Sequence, residues 1–455
     1  MTKSMTEGRP LRLIFEFALP LLVGNLLQQL YNVIDAAIVG RALGSDALGA
    51  VGASSSVQFL VLGFCIGICC GFGIPLAASF GEGNMKKMRG YIFNSLVLTA
   101  MFAVVITAAC AFFCKRILVI LSAPEDIFAD AYIYLLIIFL GIPFNLLYNI
   151  LAAVLRAAGD SVTPFVFLAV SAVTNIILDV VFIILFGWGC AGAAAATVTA
   201  QGISGLLCAV FVKKRLPELV PSAEDRRINR YYAKNLVFSG IPMGLQYSIT
   251  AIGSMVMQSA NNGLGSIYVS GFTAGMRIKQ FIMCPFDAVA TAVSVFCGQN
   301  LGAGKTERIR KGILSGIAAV VIYGIAAGMI LIFGGRVLSM IFIDPSDTVV
   351  LDAAGKYLRC LGFFYWALGT LCVCRMSTQG LGYSGRAVLS GAAEMAARIF
   401  VSLVFVKSLG FDAICWADQS AWVCACLYIV PMCFHCVRKA ERASVKKNAD
   451  QGELL

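Results

Sequence analysis

Two aspartates stand inside otherwise apolar stretches of this sequence. Asp35 interrupts the hydrophobic run that starts near Leu13, and Asp179 ends the motif NIILD in a second run. A carboxylate at the centre of a membrane helix costs roughly 2.5 to 3.5 kcal/mol on insertion scales, so each should face the protein interior and have a partner. Neither has an evident Lys or Arg partner. The pair is therefore suited to binding a cation.

Amide and hydroxyl groups accompany the two carboxylates. Asn175 and Asp179 are four residues apart, which places them on one face of a helix. Asn149 and either Thr197 or Thr199 could complete a cluster of oxygen atoms. Such a cluster suits a cation, and a proton could serve as that cation, because apolar surroundings and a second carboxylate raise the pKa values of both acids. The alternative is that these groups only hydrogen-bond the helices to one another.

The elements that must position these residues are apolar stretches of about twenty residues, which recur from end to end. Of the 455 residues 59% are hydrophobic and only 13% are charged, which indicates an all-α integral membrane protein and excludes a soluble one. The N-terminal MTKSMTEGRPLR is too polar for a signal peptide, so the first run is expected to be a retained span. Twelve spans are predicted, at residues 13–39, 49–79, 91–114, 128–154, 162–186, 190–212, 236–260, 266–297, 312–334, 351–377, 384–408 and 412–436.

The segments between the spans indicate the orientation, because Lys and Arg accumulate on the cytoplasmic side. With both termini inside, the inner segments hold twenty-four Lys and Arg and the outer segments five. This predicts a multi-pass protein of the cell membrane, of the bacterial inner-membrane type. A basic inner surface facing anionic lipid also explains the net charge of +11 without nucleic acid.

The twelve spans form an internal duplication of six. Three motif pairs carry it, at offsets of 222, 221 and 223 residues: FALP and SGIP, GEGNMKKMR and GAGKTERIR, RAAGDSVTP and QGLGYSGRA. An even number of spans makes the repeats parallel, so two six-helix bundles should be related by a pseudo-two-fold axis along the membrane normal, with a central cleft and alternating access. The predicted parts are an N-lobe at 1–212, a basic cytoplasmic linker at 213–235, a C-lobe at 236–436 and a basic cytoplasmic tail at 437–455.

Several of these motifs resemble those of the multidrug and toxic compound extrusion transporters. They are Pro20 with Asp35 fifteen residues later, GEGN, GAGK, VFCGQNLGAG, RAAGDSVTP and NIILD, and the resemblance covers residues 10–436. It implies a V-shaped twelve-helix antiporter that expels organic cations and other amphipathic compounds in exchange for H⁺ or Na⁺; we expect a monomer. It also implies a cation site in the N-lobe. The matching residues are Asp35, Asn149, Asn175, Asp179 and Thr197.

Pro20 lies in the middle third of the first span, where it interrupts a backbone hydrogen bond and predicts a kink. In some relatives the first helix is thought to bend when its aspartate is protonated. The resemblance would then couple Asp35 to the wall of the cleft. A static kink is the alternative.

The second half departs from the first at the cation site. Arg398 stands at the position that matches Asn175, and Glu394 precedes it by four residues, so an ion pair within the eleventh span is predicted. This pair would act as a structural lock, or else as a substrate or gating contact. We therefore expect no second cation site in the C-lobe.

The wall of the predicted cleft should combine apolar, aromatic and methionine side chains with few charges. Asp287 in the eighth span could line it and attract cationic drugs. Alternatively, Asp287 pairs with Arg277, Lys279 or Arg375. The other candidates for the wall are Gln28, Tyr31, Tyr148, Gln246, Met255, Met257 and Met276. A stripe of glycines, Gly63, Gly67 and Gly71, predicts close helix packing instead.

The sequence offers little for an enzyme. It has one histidine and no GxSxG, Walker A or HExxH motif, so we expect no catalytic residues and no cofactor, and an ion gradient as the energy source. The cysteines near the last span do not follow a zinc spacing, so no metal is expected beyond Na⁺ at the cation site. They are Cys424, Cys426, Cys433 and Cys436, with His435 among them.

Two other functions fit parts of the pattern. A flippase of lipid-linked saccharides, from a related superfamily with similar bundles, would need a cationic cleft for pyrophosphate. Only Arg277, Lys279, Arg375 and Arg398 could supply one. A membrane scaffold that transports nothing would not need the buried acids. The sequence therefore favours a cation-coupled exporter of amphipathic or cationic drugs and toxins.

Overall fold

The computed structural model of the protein describes residues 3–120 and 124–452, without the side chains of 45 and 445–452, and every regular element in those ranges is helical. In lipid a chain must satisfy its backbone hydrogen bonds within each segment, which explains the preference for helices. The helices are α1 (Pro10–Leu43), α2 (Ser45–Gly81), α3 (Met85–Ile120), α4 (Phe128–Leu140), α5 (Ile142–Ala157), α6 (Val162–Asp179), α7 (Gly189–Arg215), α8 (Arg230–Asn262), α9 (Ser266–Gly302), α10 (Thr306–Ser339), α11 (Thr348–Gly380), α12 (Ser384–Val404), α13 (Val406–Leu409) and α14 (Phe411–Gly452), with a π-helical turn at Val180–Leu185 and a 3₁₀ turn at Pro217–Leu219.

By length and composition, eleven of the described helical stretches could cross a membrane, and α4 with α5 forms a twelfth span that is bent by 44°. The prediction of an all-helical membrane fold is confirmed. The bent pair is the predicted span 128–154. Gly141 separates its two helices, and Pro143, which has no backbone N–H to donate, follows in the first turn of α5. The last predicted span continues past residue 436, because α14 remains helical to Gly452.

The duplication is visible in the backbone of the turns that end corresponding helices. After α2, Gly83 has φ +73°, and after α9, Gly304 has φ +69°. After α5 and α11 the matching residues are Gly159, with φ +82°, and Gly382, with φ +84°. Since L side chains rarely adopt this region, both turns depend on glycine. The same turn chemistry thus recurs at the offsets that the motif pairs predict.

Contacts divide the chain into two compact units. The first contains Val23–Gly244, and the second contains Met5–Leu22 together with the chain from Leu245 onward. The predicted lobes are defined by the sequence repeat, whereas these units are defined by which residues pack together. The limits of the lobes therefore stay a prediction. The two divisions differ at the first helix of each repeat, since Ile14 and Phe17 of α1 belong to the core of the second unit.

The first unit is held together in part by glycines on α2 and α8. A Cβ on Gly67 would lie 2.7 Å from the Cα of Gly244, and one on Gly71 would lie 2.6 Å from the Cα of Gly240. Real Cβ atoms do not approach other atoms so closely, so the two helices meet backbone to backbone. This is the close packing that the glycine stripe predicts.

Candidate functional site

The acidic pair of the first unit joins α1 to α6. Asp179, the last residue of α6, is completely buried, and Asp35 of α1 is half-buried. Their carboxyl groups lie within hydrogen-bonding distance of each other. One oxygen of each, Oδ1, has no hydrogen-bond donor in the part of the chain that the structure describes. The arrangement leaves two buried carboxyl groups with unfilled acceptor capacity.

An amide links this pair to α7. The side chain of Asn175 lies between Asp179 and Thr197. Its amide nitrogen donates to Asp179 Oδ2 at 3.3 Å, and its amide oxygen accepts from the backbone N–H of Thr197 at 3.2 Å. The Thr197 hydroxyl donates to the carbonyl of Ala193 one turn earlier, at 3.2 Å. Asn175 is therefore oriented by α7 so that it faces the carboxylate, and the helical spacing NxxxD accounts for this.

Two tyrosines and a glutamine complete the surroundings of the acids. Tyr31, one turn before Asp35, and Tyr134 of α4 both interact electrostatically with Asp35 and Asp179. Tyr134 is buried and its hydroxyl forms a hydrogen bond with Gln58 of α2. Tyr31 was predicted for the cleft wall, and the structure places it beside the acids. Sequence reasoning missed Tyr134 and Gln58.

Asn149, also predicted for this site, belongs to a neighbouring amide network. Its Nδ2 donates to the carbonyl of Asn145, at 2.9 Å, and to Asn145 Oδ1, at 3.2 Å. Asn145 Nδ2 in turn donates to Gln201 Oε1 of α7, at 3.2 Å. Among the described residues Asn149 thus contacts α7 through Asn145, and it forms no hydrogen bond with Asp35 or Asp179.

The helix that carries Asp179 changes its geometry directly after that residue. Val180–Leu185 form a π-helical turn, in which each hydrogen bond spans one more residue than in an α-helix. The turn ends where the N–H of Phe186 donates to the carbonyl of Val181, at 3.0 Å. Such turns occur frequently at functional sites.

The residues predicted for the cleft wall differ in exposure. Gln28 is exposed, Tyr148, Met255 and Met276 are half-buried, and Gln246 and Met257 are buried. Three of them have specific partners. The Tyr148 hydroxyl donates to the carbonyl of Pro164, the Gln246 amide oxygen accepts from Gln379, and Met276 Sδ lies 3.2 Å from the Tyr357 hydroxyl oxygen. Met257, fully buried in the core of the second unit, presents no surface to a ligand in this structure.

Asp287 of α9 is exposed although it lies within a spanning helix. Among the described side chains it forms no ion pair, and it interacts electrostatically with Tyr365 and Cys372 of α11. Two of its three predicted partners, Lys279 and Arg375, bind other acids. This geometry agrees with a surface role rather than with a buried pair.

The second unit contains a buried ionic network, defined here as Lys279, Arg375, Glu394, Arg398 and Asp418. Glu394 binds Arg375 at 2.6 Å and Arg398 at 2.9 Å; Asp418 binds Arg398 at 2.9 Å and Lys279 at 2.5 Å. The side chains are at most 10% exposed. The pair of Glu394 and Arg398 is present, but as part of a larger set. Sequence reasoning missed Asp418, although an acid inside the last apolar span was the available signal.

A duplicated set of apolar spanning helices, with a buried acid pair and no base bound to it among the described residues, defines the class: a multi-span membrane transporter. Comparisons with known proteins specify the family. The sequence model of the MatE family matches residues 20–181 and, a second time, residues 242–404. The chain belongs to this family, the multidrug and toxic compound extrusion transporters, as its motifs indicated.

Individual relatives agree with this assignment. The probable multidrug resistance protein YpnP of Bacillus subtilis (strain 168) is 35% identical over 364 residues, which cover 80% of this chain and 81% of YpnP. An FAD transporter of Shewanella oneidensis is 24% identical over 80% of each chain. A solved outward-facing structure of a multidrug resistance MATE family transporter has a TM-score of 0.90 at 21% identity, over 96% of this chain and 98% of that one, and so has the same fold.

Proposed function

We propose that the protein is a cation-coupled antiporter that exports amphipathic or cationic drugs and toxins by alternating access. The observation that carries the proposal is the buried pair of Asp35 and Asp179. Two adjacent carboxyl groups in an apolar interior cannot both remain charged without a counter-ion. H⁺ or Na⁺ would supply that charge, held by both carboxyl groups and the amide of Asn175. The names of relatives such as YpnP support drugs as the substrates.

The setting of this function follows from the charge of the segments between the spans. We propose that the protein acts as a monomer in the cell membrane. Both of its termini would lie in the cytoplasm, because the basic segments then face inside. Substrates would be small amphipathic molecules, and neither nucleic acid nor a cofactor is involved. Energy would come from the ion gradient.

The flippase is less well supported. It requires several free bases for a pyrophosphate, but Lys279, Arg375 and Arg398 are buried and bound to two acids. The network retains a surplus of only one positive charge. A pyrophosphate, with two or more negative charges, would not be matched by it.

Efflux of ethidium from vesicles tests the proposal. Vesicles with the parent protein should export ethidium under an imposed proton or sodium gradient, and those with Asp35→Asn should not. Asp344→Asn, in an exposed turn outside the spanning helices, is the matched control and should behave as the parent does. Gradient-driven export by Asp35→Asn at the parental rate would refute the coupling role.

A further inference from the structure

Two residues of the ionic network, Lys279 and Arg398, stand at positions that match residues of the acidic site in the sequence repeat. Gly83 and Gly304 define an offset of 221 residues for the second span, which aligns Gln58 with Lys279. Gly159 and Gly382 define an offset of 223 for the fourth and fifth spans.

At the offset of 223, three residues of the acidic site have counterparts in the second unit. Tyr134 aligns with Tyr357, Asn175 with Arg398, and Asp179 with Ser402. In both units the tyrosine belongs to the polar cluster, since Tyr357 donates to Asp418 Oδ2 at 2.8 Å. The offset of the first span, 222, aligns Asp35 with Met257. The second unit therefore has no acid at the positions that match Asp35 and Asp179, and it has bases at those that match Gln58 and Asn175.

The charges of the network do not balance. Three bases, Lys279, Arg375 and Arg398, face two acids, Glu394 and Asp418, so the buried set carries one surplus positive charge. Burying an uncompensated charge is strongly unfavourable. Asp287 is exposed and lies on the same helix as Lys279. At 1.5 Å per residue the two residues are about 12 Å apart along the helix axis, so Asp287 is not a direct partner of Lys279.

Polar atoms without partners occur within the network and on residues close to it along α12 and α14. Arg398 is 2% exposed, and its Nη1 has no acceptor among the described residues. Ser402, one turn later on α12, and Gln419, next to Asp418 on α14, are also buried and have unpartnered side-chain atoms. Donors that are left unpaired beside a surplus positive charge are suited to accept an anionic group.

Gly253 of α8 lies against this arginine, because a Cβ there would lie 3.4 Å from Arg398 Nη1 and 3.3 Å from the Cα of Met395. A separation of α8 from α12 would thus open space beside Nη1.

We propose that the network is a second binding site, in which Arg398 Nη1 and the Ser402 hydroxyl receive a single carboxylate group of an amphipathic substrate. One carboxylate neutralises one surplus charge and accepts from both donors. The proposal rests on the proposed export function and adds a substrate class to it: amphipathic monocarboxylates, including zwitterions, besides cations. The acidic site and this network would then bind groups of opposite charge.

Equilibrium binding to the purified full-length protein tests the site without requiring transport. Three probes share one fluorophore: dansylglycine has one carboxylate, its amide is neutral, and dansylcadaverine has an amine. The parent should bind dansylglycine at least tenfold more tightly than the amide. Arg398→Asn, which introduces the residue found at position 175, should remove that difference while binding of dansylcadaverine stays the same.

The variant is a selective one, because it leaves no acid unpaired. Glu394 keeps Arg375, and Asp418 keeps Lys279. Lys279→Gln is the second variant, for use if Arg398→Asn fails to fold. It removes the same unit of charge while Arg398 stays bound to Glu394 and Asp418, so it should also weaken binding of dansylglycine. Arg277→Asn, on the same helix as Lys279 but exposed, controls for net charge and should bind as the parent does.

Equal affinity of the parent for dansylglycine and its amide would overturn the proposal, as would an equal loss for all three probes in both network variants. Failure of ethidium export by the parent would instead refute the proposed function. The two failures are therefore distinguishable.

Discussion

Lys279 Nζ lies 2.5 Å from Asp418 Oδ2, and the same nitrogen lies 5.3 Å from the ring centroid of Trp422, one turn further along α14. Asp418 is completely buried and also binds Arg398. This one carboxylate therefore ties α9, α12 and, through the Tyr357 hydroxyl, α11 to α14.

We predict that Asp418→Asn destabilises the protein by about 3–5 kcal/mol, because removing one partner of a buried ion pair leaves uncompensated charge. Chemical or thermal unfolding in detergent measures this. Lys356→Met is the matched control: its partner Asp412 lies on α14 too, but both side chains are about half exposed, so the loss should be at most about 1 kcal/mol. Similar losses for both variants would contradict the role given to burial.

The acidic pair should behave as one functional unit. We predict that Asp35→Asn and Asp179→Asn each abolish gradient-driven export of ethidium, and that the double variant is no worse than either, because effects of residues that act together are not additive. Initial rates of efflux in vesicles give the comparison. Partial losses that multiply in the double variant would show that the two carboxyl groups act independently.

The contact between α2 and α8 gives a prediction with an internal control. Gly71→Ala would place a Cβ 2.6 Å from the Cα of Gly240, so the helices must separate, at a cost of roughly 1–3 kcal/mol. Gly52→Ala, on the same helix with nothing within 4 Å, should be neutral or stabilise by up to about 1 kcal/mol through helix propensity. Thermal stability in detergent distinguishes the two. Equal stability of both variants would disprove the close packing.

The linker between the repeats is attached to α3 by Asp225. The Ser222 hydroxyl, and with it the Arg89 guanidinium at 2.7 Å, holds the pKa of Asp225 below its usual value. Because the pKa of Asp225 is lower in the folded protein, its ionised carboxylate stabilises the attachment at pH values above the unfolded pKa of about 3.9. This stabilisation is lost as the pH falls through the folded pKa. The attachment should therefore weaken only below about pH 4.

At neutral pH, Asp225→Asn should expose the linker. We predict faster tryptic cleavage after Arg226 and Arg227, measured as the rate at which the full-length band disappears. Glu224→Gln, the exposed neighbour, should be cleaved at the parental rate. If the Asp225 variant is cleaved no faster, other contacts hold the linker, foremost Asn94, which binds the carbonyl of Arg227 and the N–H of Asn229.

Much of the fold could be predicted because spanning helices follow from local composition and duplication from motif offsets. The bend at Gly141 could not be predicted as readily, since a glycine and a nearby proline occur in unbroken helices as well. Packing of Ile14 with the second unit depends on contacts that no local pattern encodes.

The acidic site was predictable to the extent that it depends on helical spacing. Asn175 and Asp179 share a face, and Asn175 reaches Thr197. Asn149 is grouped with them both as an amide inside an apolar span and by the resemblance, yet its hydrogen bonds go to Asn145, because rotation about one helix axis decides which neighbour an amide meets. Tyr134 could have been found by aligning it with Tyr357 at the offset of 223 residues.

The π-helical turn after Asp179 has a consequence for the length of the chain. Its six residues, Val180–Leu185, hold one residue more than an α-helical path would need, so the extra residue is absorbed between Asp179 and the aromatic end of the helix at Phe186. Deleting any one of the six would let the segment close as an α-helix and leave its two ends in nearly the same rotation, whereas a deletion in a regular part of α6 would turn one end by about 100° against the other. This segment is therefore the part of the helix that best tolerates a shorter gene.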